Sequence, residues 1–135
     1  MPSEPVWLTA AQLILINRQL VAATGEPFVL RDKALLESAC ARPQNHWSYG
    51  ERDMAKLICA LLFGVARNHP FAQGNKRTAF AAAVIFAEGN GYVVDAPDTA
   101  AFADQIVAVI DGSASEAAFV TAFRDFLVSA TTDRP

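Results

Sequence analysis

The chain has 135 residues, of which 53% are apolar and 19% are charged; this is the length and composition of one globular domain rather than of a disordered segment. The formal net charge of −3 argues against a general nucleic-acid-binding protein, which would carry a basic surplus. We therefore expect a single domain over residues 1–135 that has no direct nucleic-acid partner.

The sequence shows no signal for export or for membrane insertion. The first residues, MPSEPVW, contain neither the basic nor the apolar segment of a secretory signal. The longest apolar run, Ala79–Ala87, is too short to span a bilayer. Cys40 and Cys59 have no metal-binding or CxxC spacing, so we expect two buried free thiols in a reducing compartment. These features predict a cytoplasmic protein without a membrane partner.

Two helices are predicted in the first third of the chain. The first starts at Thr9, a favourable N-cap, and ends at Gly25, a common C-terminal stop. The second starts near Asp32 and ends before Pro43, because a proline removes a helical hydrogen bond. Residues 42–51, RPQNHWSYGE, show no helical period, so we predict a loop or a short hairpin there.

Helices also dominate the rest of the chain. Apolar residues recur at helical spacing between Glu51 and Asn68. The stretch TAFAAAVIFAEGNG, residues 78–91, is apolar on nearly every side of a helix, which predicts a central helix enclosed by the others. The remaining predicted elements are a short extended piece over Tyr92–Pro97 and helices over Thr99–Ile110 and Ser115–Val128. The pattern predicts an all-α domain of about six helices around the central apolar helix.

The nine residues HPFAQGNKR, 69–77, lie directly before that helix. The first amides of a helix have no intrahelical acceptor, and a glycine such as Gly74 lets a ligand approach them closely. Lys76 and Arg77 then place two cations in the first turn, where each opposes the helix dipole by about 0.3–1 kcal/mol. This cost is understandable if an anion binds between the amides and the cations. The alternative is a pair of solvated surface cations.

His69 is the candidate general base of this motif, since the ordinary pKa of a histidine lies near neutral pH. Pro70 follows it, so we expect an extended backbone at residue 69. The sequence leaves open a second interpretation, in which His69 only caps the preceding helix. Phe71 is expected to anchor the loop in the core. His46 lies in the aromatic segment and is expected at the surface or on the substrate side.

HPFAQGNKR closely resembles the signature of the Fic/Doc superfamily, HPFx[DE]GN[GK]R, and Lys76 resembles the death-on-curing (Doc) branch. LTAAQLILIN looks like the opening helix of the family, LRDKALLESACARPQ like the segment before its flap, and GNKRTAFAAAVIFAEGNGY like its central helix. The resemblance extends from about Thr9 to Phe126. It implies the all-α Fic/Doc fold, with a short flap before the third helix.

The resemblance also implies a function. Fic proteins generally transfer AMP from ATP to a hydroxyl of a target protein, whereas the Doc branch binds ATP reversed and acts as a protein kinase. The known Doc target is the bacterial translation factor elongation factor Tu. Members of this branch are toxins of toxin–antitoxin pairs, each silenced by an antitoxin whose C-terminal segment folds on the toxin.

Carried over by position, the resemblance makes His69 the base that takes the proton from the target hydroxyl. Gly74 and Asn75 would hold phosphate through backbone and side chain, and Lys76 and Arg77 would bind phosphates and offset transition-state charge. The segment from Pro43 to Gly50 would be the flap that docks the target as an added strand. Its candidate target contacts are His46, Trp47, Ser48 and Tyr49. Trp47 and Tyr49 could equally be aromatic lids on the core.

Gln73 departs from the family pattern, which has an acidic residue at this position that helps to hold Mg²⁺ on the nucleotide. A neutral amide oxygen is a weaker ligand for Mg²⁺ than a carboxylate. Three outcomes stay open: a slow enzyme whose Mg²⁺ enters with ATP, another phosphate-bearing substrate, or a binding protein that keeps the fold without the chemistry.

Overall fold

The computed structural model describes residues 3–96 and 99–130. Within these ranges the chain forms six helices and one two-stranded sheet. The helices are α1 Ala10–Ala23, α2 Lys33–Ser48, α3 Met54–Asn68, α4 Asn75–Gly89, α5 Thr99–Ile110 and α6 Glu116–Asp125. The strands are β1 Tyr92–Val94 and β2 Leu127–Ser129. The predicted all-α class is confirmed. Pro97, the predicted end of the extended piece, and both chain ends lie outside the described residues.

Several predicted helix boundaries are confirmed by their caps. Thr9 caps α1 in a reciprocal pair with Gln12, in which each side chain accepts from the other residue's backbone amide. Asp32 caps α2 through the amide of Leu35 at 3.0 Å. Ser115 caps α6 as predicted. No helix in the described ranges is long and apolar enough to cross a membrane.

The helix at the centre of the fold is α3, so the prediction that α4 occupies this place is wrong. Every residue of α3 from Leu57 to Ala66 is buried, and α3 packs against both α2 and α4. In contrast, α4 buries one face and leaves Ile85 42% exposed. The alanines of α4 are apolar but small, so their presence on every side did not require enclosure on every side.

The second helix continues through Pro43, so the prediction that it ends before this residue is wrong. Leu36, Ala39, Cys40 and Pro43 form one buried stripe at spacings of three and four residues. Packing of this stripe offsets the hydrogen bond that Pro43 cannot donate. The predicted loop or hairpin over residues 42–51 is therefore helical as far as Ser48.

The end of the chain also differs from the prediction. The last helix stops at Asp125, and Leu127–Ser129 forms β2 rather than a further helical turn. β2 pairs antiparallel with β1, with Val93 opposite Val128. The extended piece predicted from Tyr92 is confirmed where it is described, and the partner strand was missed. This pairing ties the chain after α6 to the end of α4.

Candidate functional site at the start of α4

The loop between α3 and α4 begins at His69, whose backbone is left-handed, with φ 48° and ψ 55°. The predicted extended backbone is therefore wrong. His69 ends α3, and its amide donates to the Val65 carbonyl at 3.3 Å. The carbonyl of His69 accepts a hydrogen bond from Nη2 of Arg31 at 2.8 Å. A left-handed residue is common directly after a helix, and histidine tolerates this conformation better than most residues.

Asn75 shapes the loop through its side chain. Its Oδ1 accepts from the amide of Phe71 at 3.0 Å, and its Nδ2 donates to the carbonyl of Phe71 at 2.7 Å. Phe71 itself is fully buried, as predicted for an anchor. Nδ2 of Asn75 also lies 3.5 Å from Nδ1 of His69, which places the imidazole beside the start of α4. The side chain of Asn75 thus holds the loop, while its backbone amide has no acceptor among the described residues.

The turn into α4 favours glycine at position 74, first through its left-handed backbone and second through its close neighbours. The φ of Gly74 is 73°, and a Cβ there would lie 3.2 Å from Nη2 of Arg77 and 3.3 Å from Cγ1 of Val21. Asn17, buried in α1, holds the loop from the other side by donating to the Gln73 carbonyl at 2.8 Å and to Thr78 Oγ1 at 3.0 Å. The backbone of the motif is therefore fixed against α1.

The first turn of α4 contains no acidic side chain that could interact with its free amides or with its two cations. It also has no side-chain cap. Its leading amides open into a cleft of about 300 Å³, whose lining includes His69, Gln73, Gly74, Lys76 and Arg77. The structure thus brings the predicted base, the helix amides and both cations together. Such a cleft can bind an oxyanion beside a histidine.

The two cations of the cleft differ in their contacts. Lys76 is exposed and has no ion pair within the described part of the chain. Arg77 is bound to the connection after α1: Nη2 pairs with Glu26 at 2.6 Å, and Nη1 donates to Thr24 Oγ1 at 3.3 Å. The Thr24 hydroxyl and then Arg77 lower the pKa of the Glu26 carboxyl below its usual range. Arg77 is therefore held by a carboxylate inside the cleft.

Glu26 and Arg31 were missed by the sequence analysis. Both contact the motif, Glu26 through Arg77 and Arg31 through the His69 carbonyl. They lie more than thirty residues away in sequence, in a segment without a motif, and only tertiary contacts bring them near: α1 packs against α4, and Arg31 donates from its backbone amide to the Pro70 carbonyl. No local pattern could have identified them.

The segment that lies beside the motif in extended conformation is the connection before α2, not residues 43–50. Leu30 and Phe71 form an antiparallel bridge, flanked by hydrogen bonds from Arg31 to Pro70 and from Ala72 to Val29. The proposed flap at Pro43–Gly50 is thus misplaced as an extended segment, since most of it is helix α2. The sequence could not distinguish these two segments, because each contains a proline and a glycine, which are common in turns.

The predicted flap residues do not line the cleft of His69. His46 lines a separate cleft of about 370 Å³ with Glu51, Lys56 and Arg124 among others. Trp47 packs edge-on against Trp7 and lies under the Arg52 guanidinium, which agrees with an aromatic lid on the core. Ser48 donates to the Gln44 carbonyl at 3.1 Å.

Tyr49 is 92% exposed, more than any other large apolar side chain among the described residues. It follows the last residue of α2 and is not among the residues that line the cleft. Exposure of this degree excludes the role of a core lid for Tyr49. It leaves a partner contact as an open prediction.

The cleft offers a metal ion few ligands from its own side chains. Gln73 offers a neutral amide oxygen, and the Glu26 carboxylate is held by Arg77 and Thr24. No group of three or more His, Cys, Asp or Glu side chains in the described ranges could hold a metal ion. We therefore assign no step of the chemistry to a metal bound by this chain.

A second, apolar groove adjoins the cleft on the far side of the two cations. It has a volume of about 350 Å³ and runs between α1, α4 and α5. Its lining residues are Leu20, Lys76, Arg77, Phe80, Ala81, Ala103 and Ile106. The groove therefore shares Lys76 and Arg77 with the cleft at the start of α4, so a ligand in the groove could contact both cations of that cleft.

Comparison with known proteins agrees with this architecture. The model of the Fic/DOC family matches residues 7–87. This range includes α1, α2, α3, the whole motif and α4 except its last two residues. Toxin Doc of Mycolicibacterium smegmatis is 46% identical over 72 residues, covering 51% of this chain and 55% of that protein. The chain thus matches about half of the length of this curated relative.

Proposed function

Because this chain belongs to the Fic/DOC family, we propose that it is a toxin of a toxin–antitoxin pair that transfers the γ-phosphate of ATP to a hydroxyl of a protein. The observation that carries the proposal is the cleft at the start of α4, where His69, free helix amides, Lys76 and Arg77 meet. The proposed target is a translation factor, elongation factor Tu, so that phosphorylation inhibits translation in the bacterial cytoplasm.

The proposed reaction uses these groups in one in-line displacement. The amides of the first α4 turn and the two cations hold the ATP phosphates, and the ring of His69 accepts the proton of the target hydroxyl. The hydroxyl oxygen forms a bond to the γ-phosphorus while the bond from that phosphorus to the bridging oxygen breaks, and ADP leaves. Lys76 and Arg77 offset the charge that develops on the transferred group. Any Mg²⁺ enters with the nucleotide, and no step here depends on it.

Lys76 favours γ-phosphate transfer over AMP transfer, because the lysine variant of the motif resembles the Doc branch and the matched relative is named a Doc toxin. AMP transfer to a protein hydroxyl is the alternative. The two reactions use opposite ends of the same nucleotide. Incubation of the purified protein with elongation factor Tu and ATP labelled on the α or the γ phosphate separates them. We expect label from the γ phosphate only, and label from the α phosphate only would contradict the kinase.

The free edge of the segment beside the motif supports a docking place for the target chain. In the bridge between Leu30 and Phe71, the hydrogen bonds run from the neighbouring residues. The backbone groups of Phe28 and Leu30 therefore point to the other side, and they have no backbone partner in the described ranges. A target segment could add there as a strand, close to His69. Leu30→Pro, which removes one amide, should raise the KM for the target more than it lowers kcat.

The apolar groove between α1, α4 and α5 is the proposed site of the antitoxin segment. Its walls are apolar and its cations lie at one end, a combination that fits an amphipathic helix carrying acidic residues. Phe80→Glu in the groove should abolish antitoxin binding measured by calorimetry. Unchanged binding would place the antitoxin elsewhere.

A second candidate function is nucleotide or antitoxin binding without turnover, which Gln73 favours because the motif lacks its usual carboxylate. This function predicts that His69→Asn leaves growth inhibition unchanged. Loss of toxicity in that variant would exclude it. In the labelled-ATP assay, Gln73→Asp adds a direct comparison, since a large gain would show that metal binding limits the natural protein.

A further inference from the structure

The Glu26 carboxylate and the Thr24 hydroxyl together occupy one edge of the Arg77 guanidinium. Its Oε1 accepts from Nη2 of Arg77 at 2.6 Å and from the Thr24 hydroxyl at 2.5 Å, while Nη1 of Arg77 donates to that hydroxyl. Nη1 and Nη2 form one of the two edges through which a guanidinium binds an oxyanion with parallel hydrogen bonds. Each of these nitrogens therefore already makes one hydrogen bond to the segment that follows α1.

This ion pair lies where the proposed phosphate would bind. Nη2 of Arg77 is only 3.2 Å from the position of a Cβ on Gly74, so the guanidinium rests against the first turn of α4. Glu26 lines the same cleft as the free amides of that turn. A phosphate at those amides would meet the same edge of Arg77 that the carboxylate holds.

We propose that Glu26 competes with the nucleotide phosphates for Arg77, and so sets the affinity of the cleft and the charge that a ligand must carry to fill it. This inference rests on the proposed nucleotide substrate and adds a residue outside the motif to it. A ligand with a single phosphate must displace the Glu26 carboxylate and gains only the contact with Arg77 in return. A polyphosphate also reaches Lys76, which has no competing carboxylate among the described residues, and therefore displaces Glu26 more readily.

The exposure of the pair agrees with competition. The side chains of Arg77 and Glu26 are 41% and 32% exposed, and ion pairs with this degree of hydration are weak and readily exchanged. Glu26 can turn into solvent without leaving a buried charge behind. The structure also supplies a control away from the cleft, since Glu116 pairs with Arg67 at the same distance of 2.6 Å with exposures of 37% and 31%, and also with Arg42 at 3.6 Å.

The test is calorimetric titration of ATP and of AMP into the wild type, Glu26→Gln, Glu116→Gln and Arg77→Gln, after thermal unfolding has shown that each variant folds. We expect Glu26→Gln to lower the Kd for ATP roughly two- to fivefold, with a gain for AMP as well. Glu116→Gln should leave both constants unchanged, although it removes the same charge.

An unchanged or higher Kd for ATP in Glu26→Gln would overturn the inference, and a higher Kd would identify Glu26 as a residue that positions Arg77. If that result accompanies ATP binding that depends on Arg77, the proposed function stands and only the competition fails. If neither the wild type nor any variant binds ATP, both the nucleotide substrate and the inference are wrong.

Discussion

Helix α3 and the first turn of α4 follow each other in the chain but differ in burial and in charge. From Leu57 to Ala66 every residue of α3 is buried, and the helix carries none of the groups assigned to the chemistry. The first turn of α4 exposes Lys76 and Arg77 and has no acidic residue. The most completely buried helix and the residues proposed for the chemistry are therefore separate: the latter lie in the loop after α3 and in the first turn of α4.

The helix caps make the same point. Side chains cap the starts of α1, α2, α3 and α6, through Thr9, Asp32, Asp53 and Ser115. Helix α4 begins at Gly74 with no such cap. A glycine at this position costs only a few tenths of a kcal/mol relative to a capping side chain. Here the uncapped amides are the groups that face the cleft, so a local loss of stability leaves a binding site open.

The largest effect is expected from truncation in α3. Phe63 is fully buried and packs edge-on against Phe119 at 5.1 Å between ring centroids. Phe63→Ala should lower the free energy of unfolding by about 3–5 kcal/mol, as measured by urea denaturation. Ile85→Ala on the exposed side of α4 should cost less than about 1 kcal/mol. Equal losses at the two positions would contradict the central place of α3.

Replacement of His69 should affect the chemistry and leave the fold intact. Asparagine also tolerates the left-handed backbone at this position, so His69→Asn removes the base without adding backbone strain. We expect the rate of phosphate transfer to fall about 10²- to 10⁴-fold, with little change in the Kd for ATP. A rate close to that of the wild type would show that His69 only ends α3.

Replacement of Lys76 should change stability and ATP binding in opposite directions, and both effects should be smaller than those above. Lys76→Glu should raise the free energy of unfolding by a few tenths to about 1 kcal/mol, because it replaces a cation near the positive end of α4, and it should weaken ATP binding at least about tenfold. Lys33→Glu at the start of α2 is the control. It should give a similar gain in stability, measured by thermal unfolding, without changing the Kd for ATP. Loss of stability in Lys76→Glu would mean that the cation is structural.

The smallest change is expected from the two cysteines. Burial raises the pKa of Cys40 from 9.0 to about 11 and raises that of Cys59 further. Both thiols stay protonated at pH 8, so a thiol reagent should label neither in the native protein and both in urea. Since the unfolded chain releases the Cys40 proton first, stability should decline as the pH rises from 9 towards 11. Rapid native labelling would contradict the burial of these residues.

Features governed by local sequence were predicted well. The start of α1 at Thr9 and the bounds of α5 follow from caps and helical spacing. The motif also lies at a helix start, as its glycine and its cations indicated. These positions are set by neighbouring residues in the sequence and do not depend on contacts with distant ones.

Features governed by tertiary contacts were not predictable in the same way. Pro43 stays inside α2 because it completes a buried stripe. β2 forms only because β1, more than thirty residues earlier, offers a partner. Glu26 joins the site only through Arg77. In each case the residue is placed by a contact with another element, and a short stretch of sequence carries no information about such a contact.

The central claim, that phosphate binds at the uncapped start of α4, is tested most directly by NMR. Titration of ATP into ¹⁵N-labelled protein should shift the backbone amides from Gly74 to Arg77 more than any others, and Arg77→Gln should greatly reduce those shifts. Shifts centred instead on the cleft around His46, or no shifts at millimolar ATP, would contradict the account.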